Sequence, residues 1–323
     1  MNSEALIHAI LLDGAGGGRR LTWQEVLDWK APLGILWLHF VLTEPGVEDW
    51  VRNHSDLSPM VADALMAQET RPRTLVFGKG LLLSLRGINL NPEADPEDMV
   101  SIRIWADSTR IITTQRRDLQ SVQDVADQIE QHRGPCNTAE FLVNITNQIV
   151  WRMGDTLEGV EERIDFLEDQ VLAQAAASLR LDLANLRRQT ISLRRYLSPQ
   201  KEALNRLIVE QISWLDETQR LRLREISDRL IRYIENLDEV RDRAAVTQEE
   251  LMSRVSEQLN SRMYVLSVVA AIFLPLGFFT GLLGINVGGL PGVENPNAFG
   301  TFAVILVVIV ILQTTLFKIK KWF

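Results

Sequence analysis

The sequence predicts an α+β N-terminal domain, a small mixed sheet with flanking helices, followed by a long helical stalk and two C-terminal transmembrane helices. Three observations carry this. Alternating or apolar runs bounded by turn residues fill the first third of the chain. From Thr138 onward the apolar residues fall at helical spacing, and the only two long uncharged runs stand at the C-terminal end. The resulting division is a cytoplasmic α/β domain over 1–137, a helical hairpin and stalk over 138–260, and a transmembrane domain over 261–323.

Strands are expected at Ala5 to Leu12, Gly34 to Phe40, Arg73 to Phe77, Gly80 to Asn89, Asp98 to Ala106 and Arg110 to Thr114. Phe77-Gly78-Lys79-Gly80 and Asn91-Pro92 separate them as turns. Thr22-Trp23-Gln24-Glu25 fits a capping box that opens a short helix, and Ser58-Pro59 marks another helix start.

Thr138 to Gln174 reads as one helix on Phe141, Ile145, Ile149, Met153, Leu157, Ile164 and Leu167, with one slip of spacing around Gly159. A second helix runs from Leu179 to Leu197, where Ser198-Pro199 either kinks it or starts a new turn. Beyond Asp216 no proline intervenes until Pro275, and Ile226, Leu230, Tyr233, Leu237, Val240, Ala244, Leu251, Val255 and Leu259 form a single stripe. That stripe predicts one helix from Glu217 to Gly284, on the order of 100 Å at a rise near 1.5 Å per residue. So long a helix needs sheathing by its own hairpin, by copies of itself, or by both.

Met263 to Ile285 is 23 residues without a charge, and Ala298 to Phe317 is another 20. Each meets the length of roughly 20 residues that hydrocarbon demands of a helix. The external loop is then 286–297. Arg254 and Arg262 precede the first span and Lys318, Lys320 and Lys321 follow the second, whereas the loop carries only Glu294. The positive-inside bias therefore places both termini in the cytoplasm, and no basic region followed by an apolar stretch suggests a cleaved signal peptide at the N-terminus. A single cysteine, Cys136, suits a reducing compartment. Of the net charge of −8, the first 261 residues carry −11 and the remainder +3, a balance that argues against nucleic acid and suits cations.

Two helices cannot enclose an aqueous path, so a conducting protein of this kind has to oligomerise about an axis. The first span is the candidate liner, since it holds Ser267, Pro275, Gly277, Thr280, Gly281 and Gly284, while Val, Ile and Leu dominate the second. Along one face of it fall Asn260, Met263, Ser267, Ala271, Leu274, Gly281 and Asn286, with a break past Pro275. A ring of copies would present small and apolar residues between two carboxamide rings, without fixed charge. Such a wall passes an ion only if the ion keeps much of its water. The plainer alternative has Asn286 capping the helix end and Gly288-Gly289 turning the chain.

The segment NSRMYVLSVVAAIFLPLGFFTGLLGIN, Asn260 to Asn286, resembles the pore helix of the CorA family of divalent metal ion transporters. The tripeptide Gly284-Ile285-Asn286 stands where that family has Gly-Met-Asn, and Val-Gly-Gly-Leu-Pro-Gly after it is similar to the zinc-transporter branch called ZntB. The likeness extends over the α/β domain, the hairpin with LRRQTISLRRYLSP at Leu186 to Pro199, the stalk, the spans and the basic tail. It implies a homopentameric funnel in a bacterial inner membrane that passes hydrated divalent cations, zinc foremost, without a cofactor. It assigns Asn286 to the outer selectivity ring by outer-sphere contact, Gly284 to close packing with Ile285 beside it, Asn260 to the inner polar end, and Met263, Leu266 and Leu274 to apolar constrictions. Ile285 in place of Met, and a loop without an early acidic residue, argue against magnesium.

Acidic side chains at Glu235, Asp238, Glu239, Asp242, Glu249, Glu250 and Glu257 are candidates either to line the funnel and concentrate cations or to form a solvated outer face. Zinc prefers imidazole and thiolate, which the proposed pore lacks, so modest selectivity among small divalent ions is expected. His132 and Cys136 are separated by Gly134-Pro135, and His8, His39 and His54 are scattered, so all are read as structural. Gly14 to Gly18 lacks the Gly-Lys-Ser/Thr ending of a phosphate loop, which argues against nucleotide and points to ion or proton gradients as the driving force. No catalytic triad, Cys-His pair or paired carboxylates is identifiable. Two rivals remain: the same fold carrying magnesium or cobalt, and a membrane-tethered sensor or scaffold whose spans are anchors.

Overall fold

The computed structural model describes residues 5–68, 70–173, 178–284 and 295–320. The chain divides into two compact units, Met1–Glu249 and Glu250–Phe323. In the first, one sheet is built from β1 (Leu6–Leu12), β2 (Gly18–Arg20), β3 (Ile35–Val41), β4 (Arg73–Phe77), β5 (Gly80–Gly87), β6 (Val100–Ala106) and β7 (Arg110–Gln115). The spatial order is β2-β1-β3-β7-β6-β5-β4, with β3 and β7 parallel and the other neighbours antiparallel. All six expected strands are present within a residue or two of their expected ends, and β2 is an addition.

Register divides the side chains between two faces, because neighbours across a ladder point the same way. Ala9, Leu38, Ile112, Trp105 and Leu82 are cross-strand partners and belong to one apolar cluster. Helices α1 (Trp23–Leu27), α2 (Val47–Asn53) and α3 (Pro59–Met66) cover it with Val26, Val47, Trp50, Val61 and Leu65. Each such side chain contributes about 1.5–3 kcal/mol on burial. Thr22 caps α1 as expected, with Thr22 N donating to Glu25 Oε2 at 2.8 Å and Glu25 N to Thr22 Oγ1 at 3.4 Å. On the same face the fully buried Arg103 donates to the carbonyls of Ala67 and Gln68 at 2.5 and 3.1 Å, a cation at the negative end of α3.

The opposite face lies beneath α4 (Gln120–Glu130) and α5 (Thr138–Trp151), with Trp37 and Phe141 ring centroids 4.8 Å apart. Trp37 Nε1 donates to Thr113 Oγ1 at 2.9 Å, tying β3 to β7 under that layer. Toward β4, Thr74 Oγ1 donates to the Ala203 carbonyl of α7 (Leu179–Val209) at 2.6 Å.

Two helix expectations need correction. The segment from Thr138 to Gln174 is not one helix with a slip at Gly159: α5 ends at Trp151 and α6 (Gly154–Ala173) restarts after Arg152-Met153. Arg152 leaves the helix to make a bidentate pair with Asp124 of α4, at 2.5 and 2.6 Å, so the break lies where a charge is held sideways. Nor does α7 end at Leu197, because the helix runs through Pro199 to Val209. Proline removes one helical hydrogen bond. Burial of Leu197, Gln200, Ala203 and Leu204 on either side, and Gln200 Oε1 accepting from Arg86 N at 2.7 Å, hold the turn in place.

The long helix α8 (Glu217–Gly284) is continuous as expected, and the border between the units falls within it. In the first unit it buries Leu223, Ile226, Leu230, Ile234, Leu237, Val240 and Ala244. Arg243 joins it to α6 through Glu168 and Asp165, both at 2.5 Å, and Asn236 Nδ2 donates to Glu161 at 2.5 Å. Leu230→Ala should therefore lower unfolding free energy by about 2–5 kcal/mol in denaturant titration, whereas Glu239→Ala, on the exposed side, should change it by under about 0.5 kcal/mol. Equal losses would mean that this helix does not pack on the face described.

Candidate functional site

Helix α8 carries candidate residues in both units. In the first unit the face opposite the buried stripe carries Glu235, Glu239, Asp242, Val246 and Glu249, all exposed and spaced by four, three, four and three. Steps of that kind keep residues on one side of a helix. Asp238 is set apart from them: it is half-buried, with Arg194 Nε of α7 at 2.7 Å and Arg241 at 3.0 Å. Its charge is engaged within the chain. Asp242 is 69% exposed and meets Arg241 at 2.8 Å.

In the second unit Glu250 pairs with Arg254 at 2.8 Å, and Glu257 and Asn260 are exposed. Met263, Leu266 and Leu274 are 61%, 63% and 72% exposed, Ser267, Gly281 and Gly284 are exposed, and Ala271 is half-buried. Ile285 and Asn286 lie outside the described residues, as does most of the external loop. Beyond Arg262, α8 carries no charged residue to its end at Gly284, and α9 (Ala298–Ile319) carries none before Lys318. Both helices are long and apolar enough to cross a membrane, and α9 buries no residue. A soluble protein rarely exposes so much contiguous apolar surface. Lipid or other copies of the chain are the coverings that fit it.

Among the described residues a polar contact joins the two helices. Gln313 Nε2 of α9 donates to the Ala271 carbonyl of α8 at 3.4 Å. The residue was not singled out in the sequence, although it is the one carboxamide in an otherwise Val/Ile/Leu-rich span. Thr280 Oγ1 returns its hydrogen to the helix, to Leu276 O at 2.9 Å or Gly277 O at 3.1 Å, as expected of a hydroxyl in hydrocarbon. A Cβ built at Gly277, Gly281 or Gly284 would meet nothing within 4 Å, so this side of α8 is open to close approach.

The remaining candidates resolve locally. Ala15 N and Gly17 N donate to Asp13 Oδ1 at 2.7 and 2.9 Å, so the glycine loop spends these amides on its own carboxylate rather than on a phosphate. Gly134 N donates to Gly16 O at 2.7 Å, and His132 Nδ1 lies 3.9 Å from Asp13 Oδ2. Burial and nearby Glu140 raise the Cys136 thiol above its ordinary pKa, which keeps it protonated and a poor ligand. His8 and His39 are not scattered: they are register partners on β1 and β3. Among the described residues no three of His, Cys, Asp and Glu gather at metal-holding distance.

A family profile described as CorA-like Mg2+ transporter protein matches residues 33–321. The chain is 37% identical to the divalent cation transporter CmaX of Pseudomonas aeruginosa, over 99% of this chain and 98% of that one. It is 35% identical to the zinc transport protein ZntB of Yersinia enterocolitica, over 98% and 95%. The solved structure of full-length CmaX superposes with a TM-score of 0.88 at 36% identity, covering 100% of this chain and 99% of that one. The CorA magnesium transporter of Methanocaldococcus jannaschii shares the fold, with a TM-score of 0.80 at 17% identity over 98% and 99%.

Gln313→Leu removes the contact between α8 and α9 and should destabilise the detergent-solubilised protein by about 0.5–2 kcal/mol, read as a lower midpoint in thermal unfolding followed by tryptophan fluorescence. An unchanged midpoint would show that the carboxamide does not join the two helices in solution.

Proposed function

The chain belongs to the CorA-like transporter family, and from that premise we propose that it carries divalent metal cations, zinc foremost, across a bacterial inner membrane with both termini in the cytoplasm. The observation that carries the proposal is the bare apolar surface of α8 and α9 in the second unit, without a fixed charge along the first span. Neither helix can enclose water alone, so in this reading the path is built by copies of the chain around an axis, and the family likeness supports a homopentamer.

In this reading α8 lines the path. Asn260, Met263, Leu266, Ser267, Ala271, Leu274, Gly281 and Gly284 face the axis, with Ile285 and Asn286 at the outer mouth. A neutral wall cannot replace the first hydration shell of a doubly charged ion, whose loss in hydrocarbon costs tens of kcal/mol. Carboxamide oxygens accept hydrogen bonds from the water that the ion retains, so Asn286 acts at one remove. In the first unit, Glu235, Glu239, Asp242 and Glu249 form the acidic side of the funnel and raise the local cation concentration. Asp238 is the weaker member of that set, being paired with Arg194.

Zinc is favoured by the relatives named as zinc transport proteins, and magnesium by the wording of the family profile. Direct competition decides between them. In liposomes loaded with a zinc-sensitive dye, Asn286→Ala should slow influx by about tenfold, equivalent to about 1.4 kcal/mol on the rate-limiting step. Excess magnesium should leave wild-type influx largely intact. Undiminished flux in the variant would remove Asn286 from the path, and full suppression by magnesium would make magnesium the cargo. Replacing Glu235, Glu239, Asp242 and Glu249 together by their amides should slow influx at low ionic strength and leave it near wild type in about 0.5 M salt, where the Debye length falls to a few ångströms. The same loss at both ionic strengths would mean these residues act by structure rather than by charge.

A further inference from the structure

Among the described residues, three unsatisfied polar atoms meet in one place. His8 Nδ1, His39 Nε2 and Gln115 Oε1 are buried and have no hydrogen-bond partner, and their residues are 3%, 0% and 3% exposed. All three residues line a cavity of about 290 Å³. His8, His39, Gln115, Leu119 and Val122 form its floor, while Asp118, Gln120 and Gln123 are exposed at its rim. Buried polar atoms are nearly always partnered, so three in one cavity require an explanation.

The hydrogen bonds around His39 show which ring nitrogen faces the cavity. Thr113 has one hydroxyl hydrogen, and the Leu38 carbonyl accepts it at 3.2 Å. The same oxygen accepts from Trp37 Nε1 at 2.9 Å and lies 2.7 Å from His39 Nδ1. Nδ1 is thereby engaged by Thr113, and Nε2 is the nitrogen left toward the cavity. That is the arrangement of a metal-binding histidine whose second nitrogen is fixed from behind. Gln115 Nε2 donates to Asp118 Oδ1 at 3.2 Å, which leaves Oε1 as the free end of the carboxamide. Gln115 also lies within hydrogen-bonding reach of the His39 ring. Two imidazole nitrogens and a carbonyl oxygen gathered in one cavity suit a cation or a water.

The spacing suits a cation. Two imidazoles that share an ion at about 2.1 Å per nitrogen have ring centres roughly 5 to 6.5 Å apart. The His8 and His39 rings are 5.9 Å apart, on adjacent strands whose register fixes them. Burial also keeps both rings neutral, lowering His8 to about 4, with Arg20 adding to the effect, and His39 to about 3, with His8 adding to it.

We propose that this cavity is a metal site in the N-terminal domain, holding one borderline divalent cation such as zinc through His8, His39 and Gln115, with water in the remaining position. Two nitrogens and one neutral oxygen make an exchangeable site rather than a structural one, because closed structural zinc sites use four strong ligands. The site does not depend on the chain being a transporter.

The test uses the full-length protein in detergent, titrated with zinc in a calorimeter and with cobalt by visible absorption. Wild type should show an imidazole-dependent metal equivalent that His8→Gln and His39→Gln abolish and Gln115→Leu weakens by about tenfold. Asn286→Ala, the variant that tests the path through the membrane, should retain it, so loss of flux and loss of this site are read separately. Zinc-edge anomalous diffraction from wild-type crystals should place a peak within bonding distance of His8 Nδ1 and His39 Nε2, a result that needs no variant to fold. Water alone in the cavity at saturating zinc, or undiminished binding in both histidine variants, overturns the site.

Discussion

The constraint on which the rest of the molecule depends is that hydrocarbon offers no hydrogen bonds. Every backbone amide in the second unit has to be satisfied along its own helix, and two helices so satisfied leave no wall for water between them. The exposed apolar surfaces of α8 and α9 therefore call for a covering, and lipid or copies of the chain fit it. The polar exceptions follow the same rule. Thr280 and Thr314 return their hydroxyl hydrogens to carbonyls one turn back, and Gln313 finds Ala271 O. Pro275 is tolerated inside α8 because a membrane helix can spare one bond when its neighbours supply the packing.

In the first unit the ruling constraint is register. A strand pairing fixes which side chains share a face, and moving any strand by one residue would exchange the two sets. The β1–β3–β7 ladder places Ala9, Leu38 and Ile112 in the apolar cluster, and by the same alternation it sets His8, His39 and Thr113 side by side on the other face. The apolar set stabilises the fold through burial. The polar set is held in place by that burial while His8 and His39 carry unsatisfied atoms of their own.

Legibility in the sequence followed the strength of the local signal. The strands from β3 to β7 announce themselves by alternation and by turns such as Phe77-Gly78-Lys79-Gly80, and Thr22 with Glu25 announces α1. Strand β2, with three residues, is too short for any period to show. Helices α2 and α4 begin at Gly46 and Leu119 without a side-chain cap, so neither has the usual marker of a start. Pro199 misleads because local chemistry says stop while tertiary burial says continue, and the break after α5 coincides with the pairing of Arg152 to Asp124, twenty-eight positions away. Separation along the chain also hid the histidine pair: positions 8 and 39 become neighbours only when β1 and β3 lie against each other. Of the candidate site, the charge-free span and its spacing were legible, whereas the withdrawal of Asp238 into a pair with Arg194 required the hairpin to be folded.

The proposed path and the proposed histidine site would handle one ion in two ways, in separate parts of the chain, and kinetics gives a reason for the separation. With association on the order of 10⁸ M⁻¹ s⁻¹, a nanomolar site releases its ion about once in ten seconds. A path lined by imidazole or thiolate would hold zinc at least that firmly and would barely conduct. A neutral wall that meets the ion through its water releases it quickly, at the expense of discrimination among small divalent cations. The imidazoles of the N-terminal domain are under no such limit, since an ion held there has no need to move on. Ligand chemistry can thus discriminate at His8 and His39 where it cannot along α8, and the chain keeps histidine out of both spans and carries all four of its histidines in the first unit.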